Sequence, residues 1–157
     1  SLVGLLYLPT GCRQSGPRVE FVEGVVVHEG QPVVGATVGF SPTDDKAGLP
    51  ANGVTDTTGT FRLTAARGGA RSAGTAVGEY IVTISKCRAR QPAGPMPADG
   101  SPQLEHWNNE ALRLAALPPI HELPAICAEV PTSPLRATVK RGRNTGPSMR
   151  FELEGKL

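Results

Sequence analysis

The sequence predicts an all-β domain, a β-sandwich of about seven strands, and three observations carry that prediction. With 19 glycines and 15 prolines in 157 residues, long helices are disfavoured and short strands joined by turns are favoured. Apolar and polar residues alternate with a period of two in several separate stretches, the signature of half-buried strands. Only 4% of residues are aromatic against 39% hydrophobic, so the core must rest mainly on Val, Leu, Ile and Ala. A chain of this length suits one domain with a single modest core.

The elements follow in order. Residues 1–11 open with Leu2-Val3-Gly4-Leu5-Leu6-Tyr7-Leu8 and run through Pro9-Thr10-Gly11 into Cys12. This junction resembles the tail of a bacterial lipoprotein signal peptide, which ends small-small-Cys and implies lipidation of Cys12. Residues 12–18 then form a polar tether, and Arg13 after Cys12 is compatible with outer-membrane sorting. Residues 19–28 (VEFVEGVVVH) are β-branched and apolar, and Gly30-Gln31-Pro32 marks a turn. In 34–40, Ala36, Val38 and Phe40 share one face, opposite Thr37 and Gly39. After a polar loop, residues 53–64 read as a hairpin: Asp56 accepts backbone N–H groups two residues on, and Gly59 supplies a positive φ. Phe61 and Leu63 then point inward. Residues 75–86 form the longest strand, with Tyr80, Val82 and Ile84 inward and an apolar Ile81 behind, which places it centrally in a sheet. Leu135, Ala137 and Val139 define another strand, and Met149, Phe151 and Leu153 a closing one. Between them, residues 87–132 carry no strand pattern for roughly 45 residues, far beyond an ordinary loop. Residues 108–117 (NNEALRLAAL) read as a short helix capped by Asn108 or Asn109, with Leu112 and Leu114-Ala115 facing the sandwich.

Two of these stretches carry a family pattern. Gly30-Gln31-Pro32-Val33-Val34-Gly35-Ala36-Thr37-Val38, followed by Thr55-Asp56-Thr57-Thr58-Gly59-Thr60-Phe61, resembles the carboxypeptidase regulatory-like domain. The chain is similar to small bacterial envelope lipoproteins built on that domain, over about residues 19–153. The resemblance implies a seven-stranded Greek-key, transthyretin-like sandwich over 19–154 with a long insertion at 87–132. Gly35, Asp56 and Gly59 become its turn residues, and the domain is usually non-catalytic. Enzymes on transthyretin-like folds carry a C-terminal Tyr-Arg-Gly-Ser or paired Tyr and His iron ligands. Neither is present: the chain ends Glu154-Gly155-Lys156-Leu157 and holds only Tyr7 and Tyr80.

The remaining residues bear on sites. An exported protein with three cysteines leaves one over, and lipidation of Cys12 accounts for it. Cys87 and Cys127 are then free to form a disulfide, which in the chain-entropy model stabilises by roughly 3–4 kcal/mol; two reduced, buried thiols are the alternative. His28, His106 and His121 lack metal-ligand spacing, and Asp44, Asp45 and Asp56 lack a calcium-loop pattern, so no metal or other cofactor is expected. A formal charge of +2 excludes an electrostatic case for nucleic acid. Lys86, Arg88, Arg90, Arg136, Lys140, Arg141 and Arg143 read as strand-edge protection, with a patch for anionic polysaccharide or lipid head groups as the alternative. Trp107, the lone Trp, and His106 lie in the insertion as candidate ligand-binding residues; Trp107 either caps the sandwich or anchors a sugar or partner. The expectation is a non-catalytic protein held in the cell envelope, on the outer-membrane or periplasmic side, by lipid on Cys12. The alternatives are a carbohydrate- or peptide-binding module using 87–132, and a subunit of an envelope assembly pairing through an edge strand.

Overall fold

The computed structural model describes residues 16–67 and 70–155. Residues 1–11 and the lipidation candidate Cys12 therefore lie outside the described residues.

Among the described residues the chain is mostly β, with one α-helix. In order, the strands are β1 (Val19–Glu20), β2 (Glu23–His28), β3 (Gln31–Pro32), β4 (Thr37–Pro42), β5 (Ala51–Val54), β6 (Thr60–Arg62), β7 (Thr64–Arg67), β8 (Ala70–Ala73), β9 (Thr75–Ala76) and β10 (Gly78–Ser85). The insertion contributes β11 (Cys87–Arg88), the helix α1 (Pro102–Ala115) and β12 (Ile120–His121), and the chain closes with β13 (Arg136–Val139) and β14 (Arg150–Leu153). One sheet runs β13-β10-β4-β5-β7-β8; a smaller one runs β14-β2-β3, with β6 also on β2. Every pairing in the larger sheet is antiparallel, whereas β14 lies parallel to β2.

The alternation read from the sequence sets which residues meet between the sheets. Val38 and Phe40 of β4, Tyr80, Val82 and Ile84 of β10, and Ala137 and Val139 of β13 are buried on one side. Val26, Phe61, Phe151 and Leu153 are buried on the other, with Leu63 and Met149 beside them. The aromatic rings bridge the layers. Phe40 lies 5.6 Å from Tyr80 in its own sheet, and 6.2 Å from both Phe61 and Phe151 across the core. Two sheets facing each other over one core is a sandwich-like arrangement. As its pattern predicted, β10 is central, hydrogen-bonded to β4 on one side and β13 on the other.

Three expected elements are divided because the chain changes sheets within them, and one is the 75–86 strand, which becomes β9 on β1 and then β10 in the larger sheet. The run 19–28 splits: β1 pairs with β9, and β2 then joins the smaller sheet. The expected 53–64 hairpin forms its turn, but its return arm does not pair with its outgoing one. β6 pairs with β2, and only beyond Leu63 does the chain, as β7, pair with β5. Leu63 is the corner, its N–H donating to Val22 O and its carbonyl accepting from Gly74 N–H. The turn itself is as read. The Asp56 carboxylate accepts from the Thr58 N–H (2.8 Å), the Thr60 N–H (3.1 Å) and the Thr58 hydroxyl (2.7 Å). These bonds, the hydroxyl first, hold the Asp56 carboxyl below the usual carboxylate range. Gly59 has φ +76° and Gly35 φ +72°, where a side chain would strain the backbone.

Candidate functional site

The strand directions place β1 and the stem of the insertion at opposite ends of β10. The chain enters at β1, where Val19 pairs with Ala76 just before β10 begins. The insertion leaves just after β10 ends at Ser85. Eight residues of strand separate the two points, about 25 Å at the usual rise.

The tether end is held by polar groups that the sequence pattern did not flag. Glu20 is buried, its carboxylate paired with Arg18 (3.0 Å) and accepting from the Gly142 N–H (2.9 Å). Buried Asn144 joins the β13–β14 turn to the entering chain. Its Oδ1 accepts from the Lys140 N–H, and its Nδ2 donates to the carbonyls of Lys140, Phe21 and Gly142. On the same turn Arg143 stacks over the Phe21 ring at 4.2 Å. Nearby, the buried Tyr80 hydroxyl donates to Ala76 O and accepts from the Leu49 N–H. The only hint in the sequence was a Tyr at an inward position, which obliges its hydroxyl to find a partner.

The insertion is a stem with an arm. β11 and β12 form a two-residue antiparallel ladder, Cys87 opposite His121 and Arg88 opposite Ile120, and the Glu122 N–H extends it by donating to Lys86 O (2.8 Å). Past the stem the chain drops back onto the sandwich. Leu123 and Cys127 are buried in the core cluster, Cys127 in a 3₁₀ turn (Ala125–Cys127). Ser133 then ties the return to β10, its hydroxyl donating to Val82 O at 2.5 Å.

Three expectations about the insertion are corrected here. The disulfide is absent, and both thiols are free. The chain alternates out of the core beyond Ile84, leaving Cys87 exposed on the stem, while Cys127 packs inward below it. Burial raises the Cys127 thiol above its ordinary value, which keeps it protonated and unreactive. The helix is longer than expected and starts earlier, at Pro102, because proline suits the first helical turn. It also does not cap the sandwich. No residue of α1 is buried, and Leu112 is 72% exposed. Its half-buried stripe is instead Leu104, Trp107, Ala111 and Leu114, at helical spacing. Arg113 grips Glu110 with two hydrogen bonds, which hold the Glu110 carboxyl down and push Arg113 up.

His106 and Trp107 do not make one site. Successive helical residues point about 100° apart, and here His106 is exposed while Trp107 is half-buried with its Nε1 shielded from solvent. Among the described residues no three His, Cys, Asp or Glu side chains converge as metal ligands, and no helix is long and apolar enough to cross a membrane. Three of the seven basic residues are engaged within the fold: Arg136 donates to Ser133 and Leu135 carbonyls, Arg90 to Pro118 O, and Arg143 covers Phe21. The surface also holds an open cavity of about 350 Å³, lined by Glu23, Val25, Thr60, Thr145, Pro147 and Arg150. Its charges are spoken for, Glu23 paired with Arg62 and Arg150 with Glu152.

No family model, no curated protein and no solved structure matches this chain.

Proposed function

We propose that this chain is a non-catalytic envelope protein, anchored by lipid on Cys12, whose sandwich holds the 87–132 insertion away from the membrane. The observation that carries the reading is the placement of β1 and the insertion's stem at opposite ends of β10. A lipid at Cys12 lies only a few residues upstream of β1, so the far end of the domain is the part presented outward.

The fold proposed is the seven-stranded Greek-key sandwich of the carboxypeptidase regulatory-like, transthyretin-like domain. What supports it is that the resemblance residues sit where such a motif needs them. Gly35 and Gly59 take positive φ, Asp56 organises its turn, and Ala36, Val38 and Phe61 fill the core.

A second reading, that the insertion binds a peptide or protein partner, has its own support. Of the eight exposed large hydrophobic side chains among the described residues, five (Met96, Leu112, Leu117, Ile126 and Val130) lie in 87–132. Apolar exposure concentrated in one segment marks contact surfaces. It favours a protein over a polysaccharide, because these exposed side chains are non-aromatic and the lone Trp of the insertion is half-buried. Pairing through β13 is weaker, since Arg136, Thr138 and Lys140 line that edge strand with like charge.

The test is fractionation of cells expressing the native chain and Cys12→Ser. The reading requires the native protein in membranes and the variant released from them. A variant that stays membrane-bound contradicts it. Cross-linking from Leu112 and Ile126, replaced by a photoreactive residue, reports the partner: one discrete adduct supports the second reading, and none removes it.

A further inference from the structure

The stem of the insertion brings a nucleophile and a base together. Cys87 and His121 face each other across the β11–β12 ladder, with the Cys87 Sγ 3.4 Å from the His121 Nδ1. Both side chains are exposed. Directly opposed positions on an antiparallel ladder keep their side chains adjacent, and the Lys86–Glu122 backbone bond braces the pair from one side.

We propose that Cys87 is a thiol–disulfide exchange site, with His121 as its proton acceptor and a disulfide-bearing small molecule or protein as its reactant. The Cys87 sulfur attacks one sulfur of the disulfide R–S–S–R. A Cys87–S–S–R bond forms and the original S–S bond breaks. The thiol proton passes to His121 Nδ1 and then to the departing R–S⁻, so the products are the mixed disulfide and R–SH. No further oxidant is needed, because the incoming disulfide is itself reduced. The thiolate is the attacking species in such exchange, and an adjacent imidazole is the usual means of generating it.

Among the described residues no second exposed thiol is present to resolve the product. Cys127 is buried in the core cluster, on the inner side of the insertion. The mixed disulfide therefore persists, and Cys87 serves as a point of covalent attachment instead of a turnover centre.

The test is site-resolved labelling of the full chain with 4,4′-dithiodipyridine, each cysteine followed by quenched time points and peptide mass spectrometry. An unstructured peptide covering residues 84–91 is the reference. Cys87 in the protein is expected to react about tenfold or more faster than in the peptide. His121→Asn, which keeps a polar group near the Nδ1 position but no base, is expected to remove that advantage while Cys127 stays slow. Equal rates in protein and peptide overturn the proposal. So does an unchanged rate in His121→Asn, or a change at Cys87 that merely tracks faster labelling of Cys127, which would mean a loosened stem. With oxidised glutathione, a stable adduct at Cys87 alone is expected; no adduct at Cys87 overturns the attachment role.

Discussion

Asn144 should be among the most sensitive polar positions in the domain, and its replacement tests how the β13–β14 turn is joined to the entering chain. Its amide makes two short hydrogen bonds, both 2.8 Å, with the Lys140 N–H and carbonyl, and two longer ones, both 3.3 Å, to Phe21 O and Gly142 O. Its own backbone bonds to Phe21 and Glu23 survive any substitution. Asn144→Ala thus loses two good bonds at about 1 kcal/mol each, and part of the desolvation cost of the groups left behind, for about 2–3 kcal/mol in all. Asn144→Asp is the sharper probe. It keeps an acceptor for the Lys140 N–H but turns a carboxylate oxygen toward three carbonyl oxygens, so it should cost at least as much as Ala despite its near-identical shape. Urea denaturation followed by circular dichroism measures both, with the midpoint falling and the slope unchanged. An Asp variant as stable as the native chain, or an Ala variant within about 0.5 kcal/mol of it, would refute the assigned network.

Other positions give equally direct outcomes. A Cβ added at Gly24 meets the Met149 carbonyl and the Phe61 ring, so Gly24→Ala should cost about 1–3 kcal/mol or more by overpacking, read from the same denaturation curves. Ser133→Ala leaves the Val82 carbonyl without its buried donor and should cost about 1–2 kcal/mol. Leu112→Ser, by contrast, should stay within about 0.5 kcal/mol, because that side chain is 72% exposed; a larger loss would mean the Leu112 face of α1 is packed. The Asp56 carboxyl is held down in the folded state by the Thr58 hydroxyl and the Thr58 and Thr60 N–H groups. Its contribution is therefore complete above the unfolded value of about 3.9 and lost as pH falls through the folded value. Melting temperatures from pH 7 to pH 2 should drop less steeply below pH 4 for Asp56→Asn than for the native chain, and parallel curves would contradict this.

The core was legible in the sequence because period-two alternation is a local signal. Tyr80, Val82 and Ile84, or Ala137 and Val139, could be assigned a face without knowing their partners. The Asp56 turn was legible for the same reason, since all its bonds lie within four residues. Sheet membership was not. Nothing local to residues 60–67 says that the chain changes sheets at Leu63, because the choice rests on β2 and β5, which lie elsewhere in the sequence. Cysteine counting suggested a Cys87–Cys127 bridge, but parity carries no information on which way each side chain points. The helix was found by its apolar spacing, yet its buried stripe was assigned to Leu112 and Leu114-Ala115, when Leu104 and Trp107, further upstream, complete the stripe that is half-buried. The Cys87–His121 pair could not be anticipated, because it joins residues 34 apart through a ladder only two residues long.

Anchoring through Cys12 is the step on which the proposed orientation of the whole domain depends. Intact-mass and peptide mass spectrometry of the protein taken from native membranes, without reductant, tests it most directly. A mature chain beginning at a diacylated or triacylated Cys12 is the predicted result, with Cys87 and Cys127 not linked to each other. An unmodified Cys12 within a longer N-terminus would contradict the lipid anchor and leave the 87–132 insertion with no membrane to face away from.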